Sequence, residues 1–446
     1  MLKLSEGLYY QDINKEYAII YNNSIDKGLV LVNSKVNNIL KDFTNWNTVK
    51  RVADYNHISE EELMDVVEKM IEKRILIDSS EKVRKENPKR MNKWSFWMHI
   101  TNDCNLRCPY CYVEKNRETM NFNTMKEAID KIHKSAIDNN ISIIHIKFAG
   151  GEPLMRFDFI KSTIDYIEKI CSNSSVAFEY SLITNGVLLS EQILLFLREH
   201  NFSIGVSVDG TEEIHNKTRI DNSGKGTYSL TMQGIEKAIS FGLKPFILIT
   251  ITENNIDSLL DLTKLMVERE YSFRFSLVRD VHGYNKLAVD KDNTINRLLQ
   301  CIHYMQGKIK DKDFYFQFGD TNFTVKRKTG CDAGVSFFSI NEQGFIGLCG
   351  MDLVNNSLRI TDCNDIINNI RDVFSTELAN TLSTECTSCV WSSACANGCK
   401  FHNNILFGNL NAQSIYCSLY KEVLPEVIKL KALQLYKPFI FRQKGE

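Results

Sequence analysis

Three cysteines on one short loop are the residues of this chain best suited to chemistry. The stretch Thr101-Asn-Asp-Cys104-Asn-Leu-Arg-Cys108-Pro-Tyr110-Cys111 spaces them C-x3-C-x2-C, directly after the apolar, strand-like run Ser95-Phe-Trp-Met-His-Ile100. Cysteine thiolates are the usual ligands of iron–sulfur clusters, so this loop can hold three irons of a [4Fe-4S] cube. The fourth iron is then free to bind a small molecule, as an open catalytic metal site is and a closed structural one is not. A zinc knuckle or a buried thiol cluster is the alternative reading of the triplet alone, and context has to decide between them.

A second set of thiols lies far downstream. Cys331 is followed by twelve residues, Gly344, four residues and Cys349; then come Cys386-x2-Cys389-x5-Cys395-x3-Cys399 and, seventeen residues later, Cys417. A zinc ribbon accounts for four of these seven and leaves three unexplained. Residues 337–349 read as a β-hairpin turned at Gly344. Cys171, Cys301 and Cys363 fall outside both sets; the first two sit in helical stretches as core thiols.

The elements that must carry these loops follow from the periodicity. At 446 residues the chain is long enough for about three domains of ~150 residues, and 43% hydrophobic content supplies their cores. Residues 1–80 read as a small separate module. It has strands at Tyr17-Ala-Ile-Ile-Tyr21 and Gly28-Leu-Val-Leu-Val32, a helix capped by Ser34, and a second helix opened by the capping box Ser59-Glu-Glu-Glu62. Two or three strands followed by helices is a winged-helix-like arrangement. Residues 81–92, charged and holding a proline, read as a linker. From 93 to 312 strand and helix alternate, with strands at 95–101, 142–148, 176–183, 202–208, 245–252 and 272–278 and a capping box at Thr124-Met-Lys-Glu127. Six β-α units predict an α/β fold whose parallel sheet is curled into a partial (β/α)6, TIM-like barrel, with the chemistry at the strand C-terminal ends. The cysteine loop lies at the end of the first of those strands. Ala149-Gly150-Gly151-Glu152-Pro153 ends the second, Thr184-Asn185-Gly186 the third, and Ser207-Val-Asp209-Gly210 the fourth, with His215 and Arg219 beyond. Residues 313–446 form the cysteine-rich region, closed by a helix over 416–435.

C-x3-C-x2-C with an aromatic residue before its last cysteine, followed by Gly150-Gly151-Glu152-Pro153 after the next strand, resembles the radical S-adenosylmethionine (radical SAM) superfamily. The downstream set resembles the SPASM extension found in part of it. The resemblance covers residues 93 to about 420. It implies three [4Fe-4S] clusters. Cys104, Cys108 and Cys111 bind the one that holds SAM; Cys386, Cys389, Cys395 and Cys417 bind a distal auxiliary cluster; Cys331, Cys349 and Cys399 bind a nearer one. It further implies SAM contacts from Tyr110, Gly150, Gly151, Glu152, Asn185, Ser207 and Asp209, whereas Arg219 reads as a structural ion-pair residue. Three cysteines do not close the nearer cube. Either Cys363 folds back to complete it, or one iron stays open to a substrate thiolate; the open site is favoured, because Asp362 and Asp365 suggest an exposed turn at Cys363. The position six after Cys331, an extra cysteine in sulfatase-maturating members, is Phe337 here.

The function expected on this basis is a radical SAM maturase that installs a thioether or carbon–carbon crosslink in a ribosomally made peptide, as thioether-forming sactisynthases do. The N-terminal module would recognise the precursor's leader by adding it to a sheet edge, and a ferredoxin or flavodoxin would donate electrons. Anaerobic sulfatase maturation is the alternative, although Gly350 stands where those members carry Asp. A non-catalytic electron-transfer protein is the alternative of another class. A net charge of -1 gives no reason to expect nucleic-acid binding. No run of ~20 apolar residues spans a membrane, no signal peptide opens the chain, and a reducing, cytoplasmic setting suits thiols that ligate rather than pair.

Overall fold

The computed structural model describes residues 1–80, 92–279, 290–319, 321–326, 331–353, 357–374 and 382–441. The linker expected over 81–92 lies outside them, apart from Asn92.

Short apolar runs separated by amphipathic segments produce one sheet. Its strands are β6 (Lys93–His99), β7 (Ile143–Ala149), β8 (Ala177–Thr184), β9 (Ser203–Ser207), β10 (Phe246–Ile251) and β11 (Phe273–Leu277), each within about two residues of its expected position. Two further pieces widen it: β12 (Phe316–Phe318) beside β11, and the hairpin β13 (Phe337–Ile340) and β14 (Ile346–Gly347) beside β6. The order is β12-β11-β10-β9-β8-β7-β6-β13-β14, parallel throughout except for the β13–β14 turn-back. Its two end strands are not neighbours, so the barrel stays partial. Gly344 makes the hairpin turn, as expected, with φ +86°.

Side chains alternate across these strands. Phe96, Met98, Ile144, Ile146, Ile204, Val206, Ile247, Ile249, Phe273 and Phe275 are buried against the outer helices. The opposite positions (Ser95, Trp97, His145, Lys147, Gly205, Ser207, Thr250, Arg274 and Ser276) are half-buried and mostly polar. The lumen is therefore not the plug of bulky branched side chains that fills a closed eight-stranded barrel.

Residues 1–78 form a three-stranded antiparallel sheet, β2 (Tyr9–Asp12), β3 (Tyr17–Tyr21) and β4 (Leu29–Asn33), with helices α1 (Ser34–Lys41), α2 (Val49–Tyr55) and α3 (Glu60–Glu72). A small pair, β1 (Leu2–Leu4) with β5 (Leu76–Asp78), ties off the ends. Ser59 caps α3 as its sequence implies. The cap of α1 is Asn33 rather than Ser34, because its side chain reaches back to the Val36 amide. In packing the module is not separate. Alternation along β3 sends Ala18 and Ile20 into a core of its own, while Ile19, Tyr21 and Leu29 belong to the main core.

Around the barrel sit α4 (Phe122–Asp138), α5 (Phe157–Cys171), α6 (Glu191–Glu199), α7 (Glu212–Thr218), α8 (Tyr228–Ser240), α9 (Leu259–Glu268) and α10 (Lys291–Lys308). Further on come α11 (Ile366–Val373) and the closing helix α12 (Cys417–Leu435). The last buries Leu419, Val423, Val427 and Leu430 as its periodicity requires. Among the described residues no helix is long and apolar enough to cross a membrane. The start of α4 differs from the expectation. Its cap is Asn121, whose carbonyl oxygen takes the Thr124 amide at 2.9 Å, so Thr124 lies inside the first turn. Asn121→Ala should therefore cost about 1 kcal/mol and lower Tm by a few degrees. Thr124→Ala should cost less than half of that; a larger loss at Thr124 than at Asn121, by differential scanning calorimetry, would reverse the assignment.

Candidate active site

The cysteine loop leaves β6 and is held from below by the end of β7. The Gly151 amide donates to the Thr101 carbonyl at 2.7 Å, and the Glu152 amide to that of Asp103 at 2.8 Å. The approach is so close that a β-carbon on Gly150 or Gly151 would collide with the Thr101 or Asp103 backbone. The sequence signal of paired glycines thus has a direct local cause: they let one strand end dock on the ligand loop.

Glu152 is fully buried and spans two strand ends. Its carboxylate accepts from the Leu154 amide (3.0 Å), the Thr184 hydroxyl (2.8 Å) and the Asn185 amide (2.8 Å). Burial nevertheless pushes its pKa up to about 7, against the pull of these donors. Asn185 continues the chain of contacts by donating to the Asn105 side chain on the cysteine loop at 2.8 Å.

A second clamp comes from the end of β9. The Asp209 carboxylate takes the Arg219 guanidinium at 2.8 Å and the Tyr110 hydroxyl, and Arg219 lies over the Tyr110 ring at 5.8 Å. Both Asp209 and Arg219 are buried. Arg219 is thus the ion-pair residue expected. Asp209, a candidate for ligand contact, also orients Tyr110 beside Cys108. Ser207, on the lumen side of β9, stays half-exposed, and among the described residues its hydroxyl has no hydrogen-bond partner.

The thiols fall into groups, visible in whose charge each one feels. Burial raises the Cys104 and Cys108 thiols first, Cys108 to about 11, and Cys111 raises both further. Cys349 is pushed well up by burial, with Cys399 and Cys331 adding to it. Cys395 is raised to about 12 by burial and then by Cys417, Cys386 and Cys389. The resemblance assigns the same cysteines to its three candidate cluster sets. Crowded thiols that resist ionisation together are relieved when metal binding takes their protons, so this donor set fits clusters. Among the described residues no three Cys, His, Asp or Glu side chains close on a single point as one metal ion would need.

Cys363 belongs to none of these groups. It is buried rather than on an exposed turn, because Asp365 turns inward to cap α11 and brings Ile366 against Ser135 of α4. The charged groups acting on its thiol are Lys131, Asp362 and Asp365. It follows the Gly344 end of the hairpin, where the Ile360 amide bonds to the Gly344 carbonyl. Cys349 lies five residues beyond that turn, just past β14, a span of at most about 16.5 Å at ~3.3 Å per residue.

Tyr112 went unnoticed in the sequence. Its ring is 40% exposed, but its hydroxyl is strongly raised by burial and then by Cys111 and Cys349, with Arg279 opposing. Its hydroxyl is therefore within electrostatic reach of both Cys111 and Cys349. Gly350, next to Cys349, packs flat on the Trp97 indole; a β-carbon there would sit 2.8 Å from the ring.

The sequence pattern of the radical SAM superfamily matches residues 98–266. A cysteine-type anaerobic sulfatase-maturating enzyme of Clostridium novyi is 25% identical over 365 residues, covering 77% of this chain and 97% of that one. An uncharacterized protein of Methanocaldococcus jannaschii is 31% identical over 265 residues, covering 56% and 83%. The crystal structure of SuiB from Streptococcus suis bound to its precursor peptide SuiA superimposes with a TM-score of 0.55 at 17% identity, covering 94% of this chain and 100% of that one.

Two measurements test the site. The resemblance sets the cationic amino group of SAM against Glu152, a pairing that would need the carboxyl ionised. Affinity measured by equilibrium dialysis should rise from pH 6 to pH 8 through about 7 and become flat and weak in Glu152→Gln; a pH-independent wild type removes the assignment. Cys363→Ala should leave iron content unchanged at about twelve per chain, four for each of three cubes. Loss of about four irons in that variant would mean that Cys363 closes the nearer site.

Proposed function

The chain belongs to the radical SAM superfamily, in the SPASM-bearing group, and from that membership we propose that it matures a ribosomally made peptide by forming a thioether or carbon–carbon crosslink. When bound at Cys104, Cys108 and Cys111, the cluster with SAM supplies a one-electron cleavage yielding methionine and a 5′-deoxyadenosyl radical, the electron coming from a ferredoxin or flavodoxin. The chain's own residues provide position and containment. Gly151 and Glu152 hold the cysteine loop against β7, Asp209 holds Tyr110, and the half-buried lumen residues surround the space in which a peptide segment would lie. Excluding water there protects so reactive a radical.

The observation that carries the reading is coverage. The sulfatase-maturating relative matches nearly all of itself but only 77% of this chain, whereas a structure solved with a precursor peptide covers 94% of it. The N-terminal sheet also offers a docking edge. The Tyr436 hydroxyl donates to the Leu29 carbonyl on β4 at 2.9 Å. Beside β2, a groove lined by Leu4, Tyr10, Asp12, Leu40, Lys41 and Thr44 remains open. An extended leader fits as an added strand there.

Gly350 weighs against sulfatase maturation. A carboxylate at that position would have to displace the Trp97 ring, so this chain lacks room for it where those members carry Asp. The ligand count supports a sulfur substrate: with Cys331, Cys349 and Cys399 read as the nearer set and Cys363 outside it, one iron would be left for a substrate thiolate to occupy.

Incubated anaerobically with SAM, reductant and any small precursor peptide found encoded beside it, the enzyme should release 5′-deoxyadenosine and a peptide lighter by a hydrogen pair, read by mass spectrometry. Tyr10→Ala should weaken leader affinity about tenfold and leave uncoupled SAM cleavage intact. Formylglycine formation on a sulfatase peptide, with no crosslink in any neighbouring precursor, overturns the reading.

A further inference from the structure

The N-terminal turn between β3 and β4 reaches across the molecule to the thiol loop at 386–395. The Asn23 carboxamide donates to the Cys389 carbonyl at 3.1 Å, the Val390 carbonyl at 3.0 Å and the Ser392 hydroxyl at 3.1 Å. Two amide protons are thus shared among three acceptors around one turn. The next side chain, Trp391, is buried in a wall that the module largely builds: Tyr9 lies 4.6 Å away between ring centroids and Tyr21 is stacked at 6.2 Å, with Phe323 edge-on at 6.2 Å. The Lys27 amide donates to the Thr324 carbonyl at 2.7 Å, and the Lys326 amide to the Asp26 side chain at 2.8 Å, so the same turn is fastened on both flanks.

The loop it grips carries ligands. Cys389 starts the turn by donating its amide to the Cys386 carbonyl at 3.2 Å, and its own carbonyl accepts from the Ser392 amide at 2.9 Å. Ser392–Cys395 then forms a short helical turn that delivers Cys395. Asn23 therefore fixes the backbone between two thiols of one group, from a position more than 350 residues away in sequence. A peptide-recognition module tethered only for delivery has no need of such contacts.

We propose that the N-terminal module is a structural part of the distal auxiliary site, with Asn23 as the positioning residue that sets the Cys389–Ser392 turn for cluster binding. The inference rests on Cys386, Cys389, Cys395 and Cys417 holding a cluster, and does not depend on the peptide reading. Asn23→Asp is nearly isosteric but cannot donate, and it sets an anionic acceptor against two carbonyls. Asn23→Ala only empties the space. A donor role predicts that Asp is the worse replacement, whereas a packing role predicts that Ala is.

In the full-length chain reconstituted anaerobically, Asn23→Asp should lose one of the auxiliary clusters, about four irons, or shift that cluster's EPR signal and reduction potential. The SAM-induced change in the EPR of the first cluster should persist. In the metal-free protein, hydrogen exchange at amides 389–392 should speed up at least tenfold relative to wild type, and more for Asp than for Ala. Unchanged iron, EPR and exchange in Asn23→Asp, or a larger effect from Ala, overturns the proposal. A wild-type chain that binds no cluster at the four thiols overturns it together with the reading beneath it.

Discussion

The backbone contact between the end of β7 and the cysteine loop governs the rest of the site. Gly150 and Gly151 present no side chain, so two strand ends come within amide–carbonyl bonding distance of Thr101 and Asp103. Once that contact exists, Glu152 is carried into a position where it reaches Thr184 and Asn185, and Asn185 in turn reaches Asn105. Three successive strand ends are joined through one buried carboxylate. These protein contacts support the loop from outside its thiols, which is the kind of preorganisation that an open catalytic position needs.

The barrel around it reverses the usual distribution of polarity for its type. Most apolar residues lie on the face against the helices, and the lumen carries Ser95, His145, Lys147, Arg274 and Ser276 beside Trp97. A lumen of this kind contributes little to packing, so stability has to come from the outer layer and from the extra strands at both edges. The hairpin β13–β14 serves both needs: it lengthens the sheet beside β6 and brings Cys349 within electrostatic reach of Tyr112, next to Cys111.

Much of this was legible in the sequence because the signals were local. Strand runs, the Ser59 cap and the Gly344 turn depend on neighbours within a few residues. The thiol groups were legible for a different reason, since their spacing is set by the chemistry they serve. Errors came where two local signals competed: Thr124 and Ser34 looked like caps, but Asn121 and Asn33, with side chains that reach the third residue beyond, took the role. That Asp209 also engages Tyr110, 99 residues away, has no local signal in the sequence. No local pattern could reveal that Asn23 meets Cys389, or that Trp97 occupies the space above Gly350. Cys363 is instructive too: flanking acids suggested exposure, yet one of them turned inward as a helix cap and buried the thiol.

The module's sheet lies across the chain's two ends, with contacts such as Asn23 to Val390 and Tyr436 to Leu29 separated by 367 and 407 residues. During synthesis the first strands emerge long before their partners exist. At ~5–20 residues per second, roughly 20–70 s pass before residue 390 follows residue 23. Through that interval Ile19, Tyr21 and Leu29 have no main core to enter and present an apolar sheet face to water or to a chaperone. The high separation of these contacts also places their formation late in folding. The ends of the polypeptide are then the last parts to come together, so a ribosome stalled anywhere before residue 390 leaves an aggregation-prone fragment even when the barrel has already formed.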